Sequence, residues 1–207
     1  LFAGAVISNG FMQTAKTGME VAQSLETIAA LGMPVTNSVT QTAQAVSQLT
    51  DSIIRLGENG IYTPVQIAES MKTLSLAGLD TVGILSAMPS VMNLAVAGTT
   101  TLANSADVLV SITTAFNTGA AGFAQASDLI VRAAADSKAS VESIGEALKT
   151  ASVVGEQYGA AIGDVTTLIA LLGNLGITGS AAGTSIRNLF VDMSERTPKV
   201  AALMKQF

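Results

Sequence analysis

Two pairs of acidic residues have a spacing that could serve general acid–base chemistry. Glu142 and Glu146 lie on one face of a predicted helix, and Asp192 and Glu195 lie on one face of another. Paired carboxylates can hydrolyse glycosides when a cleft holds them and shifts their pKa values. Basic residues at helical spacing instead indicate solvated ion pairs, each worth about 0.2–0.5 kcal/mol. The predicted pairs are Glu146 with Lys149, Asp192 with Arg196, Glu195 with Lys199 and Glu69 with Lys72. We therefore predict no catalytic residue among them.

Other chemistry-bearing residues are missing from the chain or wrongly spaced. The 207 residues include no His and no Cys, which removes the commonest general base, the thiolate nucleophile and most zinc ligands. The chain has no Asp-rich calcium loop and no Gly-x-Ser-x-Gly nucleophile motif. We predict no metal site, no cofactor and no enzymatic activity.

A glycine-rich segment, GITGSAAGTS at 176–185, stands before a predicted helix. A phosphate-binding loop needs a lysine and a preceding strand, and this segment has neither. We predict instead a tight turn between two helices, with Ser180 as the cap of the second. Gly179 and Gly183, with the alanines between them, are predicted to let that helix approach a neighbour closely.

Charge is scarce along the chain. Charged residues make up 12% of it, about half of the usual share of roughly 25%. Hydrophobic residues make up 49%, aromatic residues only 4%, and the mean hydropathy is +0.51. This composition excludes a solvated disordered chain. The net charge of −5 and the scattered Lys16, Lys72 and Lys149 provide no basic patch, so any DNA contact is predicted to be incidental.

Helical signals dominate and predict an all-α fold of about nine helices without a sheet. Thr63, Pro64 and Gln66 have the pattern of a capping box with proline at the first helical position. Pro89 is predicted to open the second of two short helices, because proline disrupts a helix interior. Further starts are expected at Asp80, Ser140, Asp164, Ser180 and Thr197. Ends are expected at Gly32, Gly57, Gly78, Gly98, Gly119 and Gly176.

A heptad pattern marks residues 39–56. The stripe consists of Val39, Val46 and Ile53, spaced by seven, and of Thr42, Leu49 and Leu56 with the same spacing. Such a stripe is typical of one face of a bundle helix or of a short coiled coil. A length of about three heptads favours the bundle.

The strongest internal feature is a repeat. IAESMKTLSLAG at 67–78 and IGEALKTASVVG at 144–155 have six of twelve residues in common, at an offset of 77. The similarity extends to two predicted three-helix units, at about 65–116 and 141–194.

This repeat predicts how the chain is divided. A duplicated unit buries its apolar face against its twin or a neighbour. We therefore predict a helical arm at 1–60 and one duplicated helical domain at 61–207, in which residues 117–137 form a bridging helix.

Two uncharged stretches, 81–106 and 165–186, are long enough to cross a bilayer, which takes about 20 residues. Pro89 and several glycines interrupt them, and neither has an aromatic belt or clustered basic flanks. Buried helices of a weakly charged bundle and conditional membrane segments are the two interpretations of these stretches.

Three segments in order resemble phage tail tape-measure proteins. They are FAQASDLIVRAAAD at 123–136, VESIGEALKTASVVG at 141–155 and GDVTTLIALLGNLGITGSAAGTSIRNLFV at 163–191. The family pattern is an Ala-Asp helix, an EALK helix followed by Gly, an apolar LLxNxGI helix, and a GSxAGT turn leading into a helix. The likeness is good over about 63–195 and weaker before it.

The resemblance implies a structural, non-enzymatic protein inside the tail tube or at the tail tip. Proteins of that family set tube length during assembly in the host cytoplasm, leave the tail ahead of the genome and help it cross the host envelope. The implied partners are tail-tube and tail-tip proteins, assembly chaperones, further copies of the chain and, during ejection, the host membrane. The chain starts at Leu1 without an initiator Met, and we expect it to be part of a longer protein.

Three rival functions stay open at this point. A membrane-active, pore-forming helical protein without a ruler function would account for the uncharged stretches. A helical signalling or coiled-coil module is suggested by the Ala-, Thr- and Gln-rich residues 36–50, although the repeat disfavours it. An enzyme would need the carboxylate pairs to act together.

Overall fold

Helix-start and helix-end signals define the architecture in the computed structural model of the chain. The model describes the backbone of residues 2–31, 39–58 and 60–204, and the side chains of 16–30, 42–58 and 60–194. These ranges form nine α-helices and one short 3-10 helix and contain no strand, which confirms the all-α prediction. The helices are α1 Phe2–Leu31, α2 Val39–Gly57, α3 Pro64–Leu76, α4 Thr81–Gly98, α5 Leu102–Ala115, α6 Gly122–Ala135, α7 Val141–Gln157, α8 Ile162–Asn174 and α9 Gly179–Met204. The 3-10 turn, Gly119–Ala121, leads into α6.

The predicted capping box at the start of α3 is confirmed. The Gln66 backbone N–H donates to Thr63 Oγ1 at 3.3 Å, and the Thr63 N–H donates to Gln66 Oε1 at 2.9 Å. Pro64 occupies the first helical position, where no backbone donor is needed. Two N–H groups that the helix itself cannot satisfy therefore have side-chain partners.

Other predicted caps hold with small shifts. Asp80 Oδ1 accepts from the Gly83 N–H at 2.8 Å, and Ser140 Oγ accepts from the Ser143 N–H at 3.1 Å. Asp164 is not the cap itself but the third residue of α8, where its carboxylate accepts from the Ala161 N–H at 3.2 Å. Such a carboxylate in the first turn also faces the positive end of the helix dipole.

The prediction of a helix start at Thr197 is wrong. Helix α9 begins at Gly179, one residue before the predicted cap Ser180, and its backbone continues through Pro198 to Met204. An established helix adds residues without a new nucleation cost, so α9 continues past this signal even though Pro198 has no N–H to donate.

Most predicted helix ends are confirmed. Helix α2 ends at Gly57 and α4 ends at Gly98. Gly78 and Gly176 follow α3 and α8 with φ of 89° and 84°, a left-handed conformation that glycine adopts without strain. After α5, the residue Asn117 takes the left-handed conformation, ahead of the predicted stop at Gly119. Gly32 lies outside the described residues.

Pro89 does not separate two helices, as the sequence predicted, but lies inside α4. A proline in a helix interior removes one hydrogen bond and crowds the preceding turn, at a cost of about 3 kcal/mol. The neighbouring Met88 and Val91 are fully buried, as are Ile84 and Leu94 one turn further out. Burial of each such side chain contributes about 1.5–3 kcal/mol, which offsets the loss.

The first compact unit spans residues 1–88. In it, α1, α2 and α3 pack against one another, so the helices of the predicted arm pack with the first helix of the predicted repeat. Their buried side chains are Leu25, Ile28, Leu49, Ile53, Ile67, Met71 and Leu74. The heptad stripe of α2 contributes Leu49 and Ile53 to this bundle, whereas the side chain of Val39 lies outside the described residues. The predicted division at residue 60 stays a prediction.

The second compact unit spans residues 89–207, and α7 is its central helix. Helix α7 packs against α5, α6, α8 and α9. It contributes the fully buried Ile144, Ala147, Leu148 and Ala151. The surrounding helices contribute Leu109, Ile112, Phe123, Ile130, Val165, Ile169, Ala182 and Ile186.

Glycines let these helices approach α7. A Cβ on Gly183 of α9 would lie 2.6 Å from the Ala147 carbonyl oxygen and 2.7 Å from Thr150 Cβ, so the predicted close approach is confirmed. A Cβ on Gly145 of α7 would lie 3.0 Å from the side chain of Val108 in α5. A Cβ on Gly155 of α7 would lie 2.8 Å from the side chain of Val165 in α8. Because these glycines have no side chain, the axes of α5, α8 and α9 can lie closer to α7 than larger residues would allow.

We expect Thr63→Ala to lower the free energy of unfolding by about 1 kcal/mol, because the Gln66 N–H loses its partner. Urea unfolding followed by far-ultraviolet circular dichroism measures this change. Thr73→Ala is the matched control, since the Thr73 hydroxyl only bonds back to the Glu69 carbonyl within α3. An equal loss for both variants would contradict a capping role.

We expect Gly183→Ala to lower the free energy of unfolding by about 1–3 kcal/mol, because its methyl group overlaps the α7 backbone. Gly18→Ala in α1 is the control, since a Cβ there meets no atom within 4 Å. That variant should gain about 0.5–1 kcal/mol, the ordinary benefit of alanine over glycine in a helix. The same unfolding measurement serves, and two changes of equal sign would refute the close-approach interpretation.

Candidate functional site

The described carboxylates of the predicted pairs lie at the surface of their helices. Glu142 and Glu146 are exposed on α7, Asp192 is exposed on α9, and the side chain of Glu195 lies outside the described residues. Exposed carboxylates in water keep ordinary hydration and have no environment that would make one of them a general acid. The predicted partners Arg196 and Lys199 also have side chains outside the described range.

Lys149 pairs with Asp107 of α5, not with Glu146 as the sequence predicted. The reason is the packing of α5 on α7 at Val108 and Gly145, one turn before Lys149, which brings the Asp107 carboxylate within reach. Among the described side chains, the other ion pair joins Lys16 and Glu20 within α1 at 3.8 Å. Both pairs lie at the surface and contribute little stability.

No other titratable group gathers into a reactive cluster in the part of the chain that the structure describes. Burial raises the pKa of Tyr62 above its ordinary value, so this phenol stays protonated at neutral pH. No set of three or more acidic residues that could hold a metal ion occurs among the described residues.

The glycine-rich segment 176–185 forms the turn that the sequence predicted. Gly176 reverses the chain after α8, and the Ile177 N–H closes the turn on the Leu172 carbonyl at 2.9 Å. Gly179, with φ of 59°, then opens α9. The segment therefore serves to lay α9 beside α8 and across α7.

An apolar groove lies between α8 and α9, and we call it the α8–α9 groove. Its volume is about 270 Å³. The residues that line it are Leu168, Leu171, Leu172, Leu175, Ser185, Ile186 and Leu189. Leu171 is 57% exposed, Leu175 is 77% exposed and Leu189 is 44% exposed. Such a contiguous apolar surface is typical of a site where another protein binds.

Helix α8 has this groove because it is apolar on two faces. Ile162, Val165 and Ile169 are buried in the second unit. The leucines at 168, 171, 172 and 175 repeat at helical spacing on an adjacent face. An apolar helix face is normally covered by a neighbour, and this second face lacks such a neighbour among the described residues. For this stretch the sequence predicts a buried bundle helix or a conditional membrane segment, and the leucine spacing was the signal for a second apolar face.

A smaller groove of about 240 Å³ lies between α6 and α8. Arg132 and Asp136 of α6 and Thr167 and Asn174 of α8 are among its lining residues. Thr167 Oγ1 donates to the Gly163 carbonyl at 2.8 Å, and Asn174 Oδ1 accepts from a backbone N–H of the α6–α7 loop at 3.2 Å. These polar groups therefore hold the local backbone, and they do not converge on a ligand position.

The two uncharged stretches have different outcomes in the structure. Among the described residues, α4 is the one helix long and apolar enough to cross a membrane, with a mean hydropathy of 1.4. Of its 18 residues, 44% are buried inside the protein. The second stretch, 165–186, is interrupted by the turn at Gly176, so it forms parts of two helices and cannot span a bilayer as one.

Comparisons with known proteins agree on one family. The model of the phage-related minor tail protein family matches residues 50–207. A tape measure protein of Pneumococcus phage Dp-1 is 28% identical over 165 residues, which are 80% of this chain and 14% of that protein. A probable tape measure protein of Escherichia phage P2 is 26% identical over 152 residues, which are 73% of this chain and 19% of that protein. No solved structure matches the chain.

The family match covers α3 to α9 and includes both walls of the α8–α9 groove. The chain spans less than a fifth of the length of either relative. It belongs to the family of phage-related minor tail proteins, in which the relatives it matches are named as tape measure proteins.

Proposed function

We propose that this chain is a structural segment of a tape-measure protein that determines tail length during assembly and assists genome ejection. The observation that carries the proposal is the family match over residues 50–207, together with relatives named as tape measure proteins. In this proposal the chain lies in the tail of the virion, in the tube lumen or at the tip. Its helical surface acts by contact and not by catalysis.

The helical architecture supports a role as a length element. A backbone in α-helices satisfies its hydrogen bonds locally and advances about 1.5 Å per residue, so contour length follows residue number. The described part of the chain has long helices joined by short turns, and α1 and α9 alone have 30 and 26 residues. Length along the tail is then a property of the polypeptide that needs no reactive site.

The proposed partners follow from that location. Tail-tube and tail-tip proteins would surround the chain, assembly chaperones would cover its apolar surface before assembly, and further copies would lie beside it. The scarcity of charge supports a need for such cover, because 12% charged residues give little electrostatic protection against association. Contact with DNA stays incidental in this proposal, since the chain carries a net charge of −5.

We expect tails to shorten when residues 2–57 are deleted in frame from the phage gene that encodes this chain. The expected shortening is at most about 1.5 Å for each residue removed, which is the rise of a helix that lies along the tail axis. Electron microscopy of purified virions measures tail length. Replacing the same residues by an unrelated helical sequence of equal length is the control and should restore the original length. Tails of unchanged length after the deletion would contradict the ruler function.

A second candidate is a membrane-active helical protein without a ruler function, and the length and hydropathy of α4 are the observations that favour it. Flotation of the purified chain with phosphatidylethanolamine and phosphatidylglycerol vesicles separates the two. Under the tail proposal we expect the chain to stay in the dense fraction, because almost half of α4 is buried. Stable flotation that is lost on Val82→Asp or Val96→Asp, two exposed positions of α4, would favour the membrane function.

A further inference from the structure

The α8–α9 groove has a counterpart in the first copy of the predicted repeat. At the offset of 77, its lining residues align with residues of α4 and α5 in the second compact unit. The counterparts, in order, are Val91, Leu94, Ala95, Gly98, Val108, Leu109 and Ile112. Helices α5 and α9 also begin at aligned positions, Leu102 and Gly179. The two grooves therefore consist of equivalent pairs of helices.

The counterpart positions are covered, whereas the groove itself is open. Val91, Leu94 and Ile112 are at most 1% exposed. Leu168, Leu171 and Leu189, which align with them, are half-buried or exposed. The residues of these three pairs are equally apolar, so the difference in exposure comes from what packs on them.

The first turns of α7 pack against the counterpart surface at Gly98 and Val108, and α6 also packs on α4, where the Ser127 hydroxyl donates to the Ser90 carbonyl. Val141 Cγ1 is 2.8 Å from the position of a Cβ on Gly98, and Val108 Cγ1 is 3.0 Å from the position of a Cβ on Gly145. Val141 therefore lies over the end of α4, and Gly145, one turn later, lies against α5. A valine followed four residues later by a glycine is what this surface accommodates.

Helix α7 is also the first helix of the second copy. In the first copy, the groove made by the second and third helices thus receives the first helix of the next copy, as neighbouring units do in a stacked array of repeats. In the second copy, no helix of the described chain occupies that position. The open leucines of α8 therefore lack such a helix among the described residues.

We propose that the α8–α9 groove binds an amphipathic helix of the α7 type, contributed by a further helical unit of the same kind. Its first-turn residue, at the position of Val141, must be small, because a leucine replaces the glycine that Val141 meets in the first copy. Its residue four positions later can be larger than glycine, because a serine replaces the valine at the facing position. Leu175 aligns with Gly98 and Ser185 with Val108, so these residues contact the two positions. Thr184 aligns with Asp107, so the incoming helix needs no counterpart of Lys149. The proposal rests on the predicted repeat and goes beyond the proposed tail function.

Disulfide trapping tests the proposal, because the chain has no cysteine of its own. Leu175→Cys and Ser185→Cys variants of the full chain are each mixed with a peptide of residues 140–157. The peptide carries Val141→Cys or Gly145→Cys. We expect Leu175→Cys to capture the Val141→Cys peptide, and Ser185→Cys to capture the Gly145→Cys peptide. Each matched pair should form its disulfide about tenfold faster than a pair that does not dock, because docking raises the effective concentration of the thiols.

The controls keep the result tied to the groove and to the register. Leu76→Cys in α3 is a similarly exposed leucine that should capture either peptide only at the background rate. A peptide that also carries Ile144→Asp should lose the enhancement. Trapping detects the bound form even though a free peptide of this length is a marginal helix in water.

Three outcomes would overturn the proposal. One is capture no faster than at Leu76→Cys. Another is equal capture for the matched and the exchanged cysteine pairs, which would place a helix in the groove without the register of the repeat. The third is dimerisation of the full chain, detected by light scattering and abolished by Leu171→Asp, because the groove would then be closed by a second copy of itself. None of these outcomes bears on tail length, so the tail function is tested separately.

Discussion

The second unit depends on how closely its helices can approach α7. The chain has few aromatic residues, so its core is built from aliphatic side chains and from places where a side chain is missing. Gly183 of α9 lies against the α7 backbone, and Gly145 and Gly155 of α7 lie against valines of α5 and α8. Dispersion forces act only at contact distance, so these short separations gain contacts that larger side chains would otherwise have to provide.

Small polar residues take part in the same packing at a cost. Ser75 and Ser152, which occupy aligned positions of α3 and α7, are buried with hydroxyls that have no hydrogen-bond partner in the described structure. Leaving a buried hydroxyl unsatisfied costs about 1–3 kcal/mol. Serine is nevertheless barely larger than alanine and therefore preserves the close contact. The same compromise at both positions agrees with the predicted repeat.

Tight packing on one side of α8 leaves its other side open. The buried Val165 and Ile169 fix its rotation in the unit, so the leucines at 171 and 175 must point away from α7. A protein with few charged residues has little electrostatic protection against association through such a groove. A tail protein that assembles through contacts among helices can use an apolar groove of this kind. The exposed carboxylates do not lie in such a groove.

Local sequence determined most helix boundaries. The capping residues before α3, α4 and α7 and the glycines after α3 and α8 are confirmed, because these interactions join residues within one turn of each other. The carboxylate pairs could likewise be interpreted as surface features, since helical spacing alone places them on one face. Family membership followed from an ordered set of motifs and is confirmed by the comparisons.

Tertiary structure decided what depends on distant residues. Pro89 lies inside a helix because burial of its neighbours outweighs a local penalty. Lys149 turns to Asp107 because α5 crosses α7 at that point. The leucines of α8 are as apolar as their buried counterparts in α4, so sequence alone could not tell which set lies open. By itself, the sequence determined where helices begin and end and which residues are apolar; only packing determined which apolar faces are covered, because burial depends on neighbours far away along the chain.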